Sequence, residues 1–379
     1  MAIIQILALA LGQAQPYTIP YQGGTLKLEK LASLEYPWGI AGLPDGRVLV
    51  TEKAGRLRIF ANGQLSAPIS GVPKVVFHDQ GGLLDVERDP NFAQNQLVYI
   101  YFVEAAEVQT MAVDEWDPRI GPKPKTGVDN TLKGGAVARG KLVGNALQDV
   151  RVIWRQKPKT LGRGHNGGRL IFDRAGHLFI TSGDRQRFTP AQNMGGNLGK
   201  IVRINKDGSI PRDNPWPGRD IWSVGHRNPL GGAVNPADGR LWVHEMGPLG
   251  GDELNLIVKK RNYGWPVVSN GDNYDRTRIP DHDTQTRFVK PRITWNPVIS
   301  PSGMIFYNGS MFPEWKGQAL MGGLSSMSLI RVGIKGAMAK EEGRIKLFRR
   351  IRDVHQAPDG SLWLLVDAKN GGMLRISRG

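Results

Sequence analysis

The residue best suited to move a proton near neutral pH is His165, set in Arg163-Gly164-His165-Asn166-Gly167-Gly168-Arg169. Its glycine neighbours put it on closely packed backbone, away from any apolar strand face, and a carboxylate at Asp184 could orient the imidazole. Downstream, Gly225-His226-Arg227-Asn228-Pro229 offers a fixed cationic fork and an amide, suited to polarising a carbonyl or holding a carboxylate. Glu245-Met246-Gly247-Pro248, Gly251-Asp252-Glu253 and Asn262-Tyr263-Gly264-Trp265 supply carboxylates and main-chain carbonyls but no thiol. That all-oxygen set suits Ca2+ better than zinc or copper. Trp295, with Arg350 and Arg352 on alternate positions of one strand face, would suit a flat polyanion. In His78-Asp79-Gln80-Gly81-Gly82, the paired glycines admit close backbone approach and Gln80 brings a donor and an acceptor.

These motifs flank a repeated unit of strand, Asp/Asn/Pro/Gly turn and alternating strand. The unit recurs over Ile40–Lys53, Leu84–Val103, Leu170–Arg185, Gly232–Pro248, Met304–Gly323 and Val354–Lys369. A lone hairpin of this kind cannot bury its apolar face, so the copies must stack. Six irregularly spaced copies predict an all-β chain: a six-bladed β-propeller over residues 16–379, with loop insertions between blades. A β-sandwich would seldom repeat in this way, and a β-helix would have a shorter period. In a propeller, strand ends on one face converge on the central channel, which is where the polar motifs fall. Residues 104–144 lack periodicity and read as a long loop or blade-edge excursion. Residues 271–290 read as a second loop-like insertion.

Composition narrows the field. The chain has 379 residues, 49 of them glycine and 25 proline, a count that favours turn-punctuated strands over long helices. The absence of cysteine excludes disulfides, thiolate metal sites, Fe–S clusters and cysteine nucleophiles. Fifty Lys+Arg against 34 Asp+Glu give a net charge of +16. No helix-turn-helix, zinc finger or RNP motif accompanies the basic residues, so nucleic acid is not the expected partner. A solvated basic surface, or attraction to an acidic partner, fits better. The apolar run from Ile3 to Leu11, ending near Gly12-Gln13-Ala14, reads as an export signal within residues 1–15, though without a positive n-region. This implies a periplasmic or secreted protein. No other stretch approaches the roughly 18 apolar residues of a membrane span.

Taken together, GHNGGRL, GHRNP, GPxGGDELNLI with NYGWP, and RxRDVxxxPDGSLWLL resemble the soluble quinoprotein glucose/sorbosone dehydrogenases, most closely the aldose sugar dehydrogenases, from about Pro37 to Ile376. The resemblance implies a six-bladed propeller that uses pyrroloquinoline quinone (PQQ) and Ca2+ to oxidise aldoses at C1 to lactones. By position, His165 resembles the base that takes the C1 hydroxyl proton as hydride passes to the quinone C5, and Asp184 resembles its paired carboxylate. Gln80 resembles a cofactor-contacting glutamine, and Arg227 and Asn228 the pair that holds and polarises the quinone. Trp295 resembles the aromatic residue packed on it, with Arg350 and Arg352 as its carboxylate clamps. The Gly247 and Pro248 carbonyls resemble ligands of the cofactor-bound Ca2+, and Glu253 and Tyr263 contributors to a second, structural Ca2+ site. One position departs: where the family commonly has Lys or Arg after Leu320–Leu324, this chain has Ser325-Ser326-Met327, and Lys369 is a candidate replacement. The implied partners are an aldose and an external electron acceptor, for example an acidic redox protein, with the enzyme a monomer or homodimer. Two alternatives stay open: a Ca2+-dependent propeller lactonase, and a non-catalytic propeller binding glycans or a protein.

Overall fold

Alternating apolar and polar residues around Asp-Gly and Asn-Gly turns fold as antiparallel strands, and the computed structural model arranges them as a six-bladed β-propeller. It describes residues 15–110, 116–121 and 130–379. The export-signal segment lies almost wholly outside them.

The innermost strands of the six blades are Pro37–Gly42, Leu83–Arg88, Gly167–Phe172, Pro229–Val234, Pro301–Phe306 and Ile351–Gln356. Each begins one of the six sequence repeats. The last blade is closed by the N-terminal strand Gly24–Leu34, which pairs with the C-terminal strand Gly371–Arg378, and Tyr17–Tyr21 adds a fifth strand at its edge. Chain closure of this kind ties the first and last residues of the propeller together and removes a free seam. Apolar side chains fill the spaces between blades. One such layer packs Phe312, Trp315, Leu329 and Leu364; another packs Leu49, Phe92, Ile100 and Phe102.

All six inner strands share an irregularity. Each has a register shift against its neighbour near its start, between Pro37/Ile40, Leu83/Val86, Gly167/Leu170, Pro229/Gly231, Ser302/Met304 and Ile351/Asp353. A bulge bends and twists the strand and re-aims its side chains. Six at one level turn the beginnings of the inner strands toward the channel.

The region 104–144 needs correction. Pro118–Ile120 forms a short 3-10 turn, and Leu97–Ala105 pairs with Lys133–Val143, which is the third strand of the second blade. Its small residues conceal the pattern: a side chain at Gly135 would lie 1.8 Å from the Tyr101 hydroxyl, so the strand stays small to let a large neighbour pack. The stretch 271–290 is loop-like apart from Gly271–Asp272, which pairs with Leu249–Gly250, and a short 3-10 turn at His282–Thr284.

Candidate active site

A cavity of about 190 Å3 lies at the bulged end of the channel, lined among others by Trp38, Lys53, Gln80, Asn166, Arg350 and Arg352. Most of these residues stand at or just before the start of an inner strand. Lys53 instead follows a second strand, Val48–Glu52.

His165 borders this wall. Its backbone holds φ 50°, and its N–H donates to Gln80 Oε1 at 2.9 Å, locking the base against a wall residue. The imidazole Nδ1 lies 2.6 Å from Asp184 Oδ1. Asp184 is fully buried, and its carboxylate also accepts from the backbone N–H groups of Gln186 and Phe188 and from the Trp265 indole at 2.7 Å. So many donors fix the carboxylate, which in turn fixes the imidazole with Nδ1 facing it and Nε2 left for a substrate. Burial, then the Arg227 guanidinium, push His165 down to about 4 against the pull of Asp184. For Asp184, burial acts upward as the largest single influence, but His165, Arg227 and the Trp265 indole together hold the carboxyl below its usual range. At neutral pH the pair is therefore a neutral imidazole on a carboxylate, the state a general base needs.

Arg227 and Asn228 are buried beside it. Arg227 donates to the Met246 carbonyl at 3.0 Å and stacks over Trp265, with 5.2 Å from guanidinium carbon to ring centroid. Asn228 accepts from the Gly167 N–H at 3.3 Å. Met246 borders both the main cavity and a much smaller one of about 10 Å3, lined by Arg227, Glu245, Gly247, Glu253, Tyr263 and Ser269 among others. That volume is room for about one water or one ion. Backbone oxygens crowd here: a side chain at Gly247 would sit 2.3 Å from the Gly250 carbonyl oxygen and 2.4 Å from that of Gly251. Pro248 follows in the same turn. Glu253 is pushed well above its usual range by burial and by the carboxylate of Glu245 nearby. The Tyr263 hydroxyl is committed elsewhere, donating to the Leu256 carbonyl and accepting from the Val258 N–H. Among the described residues, no group of three or more His, Cys, Asp and Glu side chains is placed to hold a metal, so any ion here would need main-chain oxygen beside the Glu245 and Glu253 carboxylates.

Arg350 and Arg352 enter from the start of the last blade and share Asp367, at 3.3 and 2.8 Å. Trp295 does not join them. It ends the outermost strand of the fourth blade, packs with Trp242, Leu254 and Met321, and donates its indole N–H to Glu341 at 2.6 Å. The outer position follows from its pairing opposite Asp252, two strands from the channel. The aromatic wall of the cavity is Trp38, which carries the guanidiniums of Arg169 and Arg352 over its ring at 4.6 and 5.8 Å. Ser325 bonds the Val298 carbonyl at 3.3 Å, and Lys369 is exposed and absent from the cavity lining. Sequence reasoning missed Trp38 and Lys53, and it named Glu245 and Trp265 only inside motifs. The last three stand just past strand ends or within a quoted motif, the same signal that marked Asp184.

A family model described as Glucose / Sorbosone dehydrogenase matches residues 34–375. The chain belongs to the glucose/sorbosone dehydrogenase family. The aldose sugar dehydrogenase YliI of Escherichia coli (strain K12) is 38% identical over 367 residues, covering 93% of this chain and 93% of that protein. The crystal structure of the soluble aldose sugar dehydrogenase from Escherichia coli in its apo form superposes with a TM-score of 0.84 at 38% identity, covering 93% of this chain and all of that one. The PQQ-bound aldose sugar dehydrogenase of Streptomyces coelicolor superposes with a TM-score of 0.73 at 26% identity, over 95% of this chain and 99% of that one. The glucose/sorbosone dehydrogenase described here thus sits among oxidoreductases of sugars. Among its described residues no helix is long and apolar enough to cross a membrane.

Proposed function

We propose that this chain is a PQQ- and Ca2+-dependent aldose dehydrogenase that oxidises C1 of the sugar to the lactone. The observation that carries this reading is a pre-oriented base at the edge of a cation-lined cavity: the His165–Asp184 pair beside Gln80, Lys53, Arg350 and Arg352. The donor set fits a planar polyanion. Among the described residues, Arg352 Nε and Arg227 Nε behind it are buried without a protein partner. Unpaired buried donors of this kind are costly unless a ligand meets them. Gln80, Arg227, Asn228, Arg350 and Arg352 would hold the quinone, with Trp38 as the aromatic wall. The Gly247 and Pro248 carbonyls would hold its Ca2+, a hard cation that oxygen ligands suit. The Glu245–Glu253 pair beside Tyr263 would welcome a second cation, since two buried carboxylates repel unless a positive charge stands near.

Oxidation of an aldose at C1 removes one proton from the hydroxyl and one hydride from carbon. The quinone, when bound, supplies the two-electron acceptor. His165 Nε2 takes the proton, with Asp184 stabilising the imidazolium that forms. Arg227 brings fixed positive charge to the side where negative charge develops. An external acceptor then reoxidises the site, and the +16 charge of the chain favours an acidic redox protein.

The test is dye reduction by purified protein supplied with PQQ and Ca2+, across a panel of aldoses. We expect sugar-dependent reduction, and His165→Ala should lower kcat by about 10²–10⁴-fold with PQQ still bound. Protein that holds PQQ by its absorbance yet reduces no dye with any aldose would overturn the reading.

A further inference from the structure

Two buried lysines show what an ammonium needs away from water. Lys200, fully buried, donates to three carbonyls, those of Pro190, Ala191 and Leu198, at 2.7, 2.9 and 2.7 Å. Its three N–H groups are spent and it is structural. Among the described residues Lys53, 9% exposed, has one such bond, to the Asp79 carbonyl, and no carboxylate within ion-pair distance. Its other flanks face the Tyr36 and Phe77 rings, with ring centroids at 5.7 and 5.5 Å, and the cavity it lines. An ammonium has three donors, so two of those on Lys53 have no hydrogen-bond partner among the described residues. Beside it, Arg350 and Arg352 divide a single carboxylate, Asp367. Three cations lie against Asp367, and Asp79, the other carboxylate near Lys53, pairs with Arg163 at 3.2 Å, so the cavity keeps an excess of positive charge that an anionic ligand would neutralise.

We propose that Lys53 is an anion-binding residue of this cavity, pairing with a carboxylate of the bound quinone and supplying the cation that Ser325 does not. The inference rests on the PQQ reading above. The charged groups facing Lys53 are Arg352, Asp367 and Asp79. Burial, then Arg352, push its ammonium down to about 8, while the two aspartates oppose them. In the empty protein the charge is thus costly, and a bound carboxylate would repay that cost. Lys369, the candidate from the sequence, has no part in this.

The experiment is equilibrium binding of PQQ and of its charge-stripped trimethyl ester to apoprotein, read by tryptophan fluorescence and quinone absorbance. It compares wild type, Lys53→Met and Lys53→Arg, with folding checked by circular dichroism. A charge-assisted hydrogen bond lost from a buried site should weaken PQQ by about ten- to a hundredfold in Lys53→Met. The ester should lose little, and Lys53→Arg should restore most of the affinity for PQQ. Wild-type affinity for PQQ should also fall as pH rises through about 8, and that inflection should vanish in Lys53→Met. Unchanged PQQ affinity in Lys53→Met, or equal loss of PQQ and ester, would overturn the role of Lys53 while leaving the PQQ reading intact. Wild type that binds no PQQ would remove both.

Discussion

Two charged clusters share Trp38 in the channel, and they are built to opposite rules. Deeper in, Arg169 donates to Asp85 at 2.8 Å and to Asp353 at 2.9 Å, while the backbone N–H groups of Leu170 and Ile40 bond the same two carboxylates. This knot ties four blades and lines a second cavity of about 580 Å3 at the far end of the channel. Its carboxylates outnumber its cation, and burial raises both Asp85 and Asp353 above the usual carboxylate range against the Arg169 guanidinium, so a proton can settle the balance within the knot. In the mouth the cations outnumber the carboxylate, and no proton can neutralise an arginine. A knot that balances itself is a fastening. A cluster that needs a charge from outside is a binding site.

Breaking the knot should produce the largest effect. Arg169→Met leaves Asp85 and Asp353 facing each other in a buried site, which should cost about 3–5 kcal/mol of folding stability, measured by urea unfolding. The fraction that remains folded should still bind PQQ with near wild-type affinity. If that affinity instead fell as far as the stability, the two clusters would be one unit and the comparison would fail.

Next in size is Asp184→Asn, which should lower kcat by about a hundredfold or more and leave the KM for sugar within a few-fold, because orientation of the base is what it removes. The two clamp arginines should then separate by burial. Arg352, with its side chain 11% exposed, should cost about ten- to a hundredfold in PQQ affinity when changed to alanine. Arg350, at 50% exposed, should cost only about two- to fivefold, as a solvated ion pair does. Equal losses would mean that exposure does not set their worth.

How much of this was legible in the sequence follows from the same geometry. The six repeats announced the blades because each inner hairpin turns on an Asp/Asn/Pro/Gly corner between apolar strands. His165 and Asp184 were legible because glycines and a strand end marked them. Lys53 and Asp367 stand just past the ends of second strands, as Asp184 does, so that rule applied to every blade would have found them. Trp295 misled because a tryptophan beside Asn-Pro has the same letters in an outer strand as in a channel wall, and only the number of strands between it and the axis decides. Lys133–Val143 hid because packing against Tyr101 demands glycine and alanine, and small residues carry no alternating signal.

The finest test of the open cluster is its pH dependence. Arg227 helps to hold His165 near 4, below the roughly 6.5 of an unfolded histidine. Neutral imidazole is the active form, so kcat/KM should be level above about pH 5 and fall tenfold per unit below 4. The same shift bears on stability. As pH falls from about 6.5 toward 4, the unfolded chain takes up a proton that native His165 refuses, so folding should weaken through that window. His244, which burial and Arg169 push to about 3, acts in the same direction from within the knot. His165→Gln should therefore flatten part of the acid loss in thermal stability while abolishing the kinetic limb, and His244→Gln should flatten the stability alone. Asp184→Asn should move the kinetic limb lower, because the carboxylate that favours the imidazolium is gone. A limb unmoved by Asp184→Asn would show that the group titrating near pH 4 is some residue other than His165.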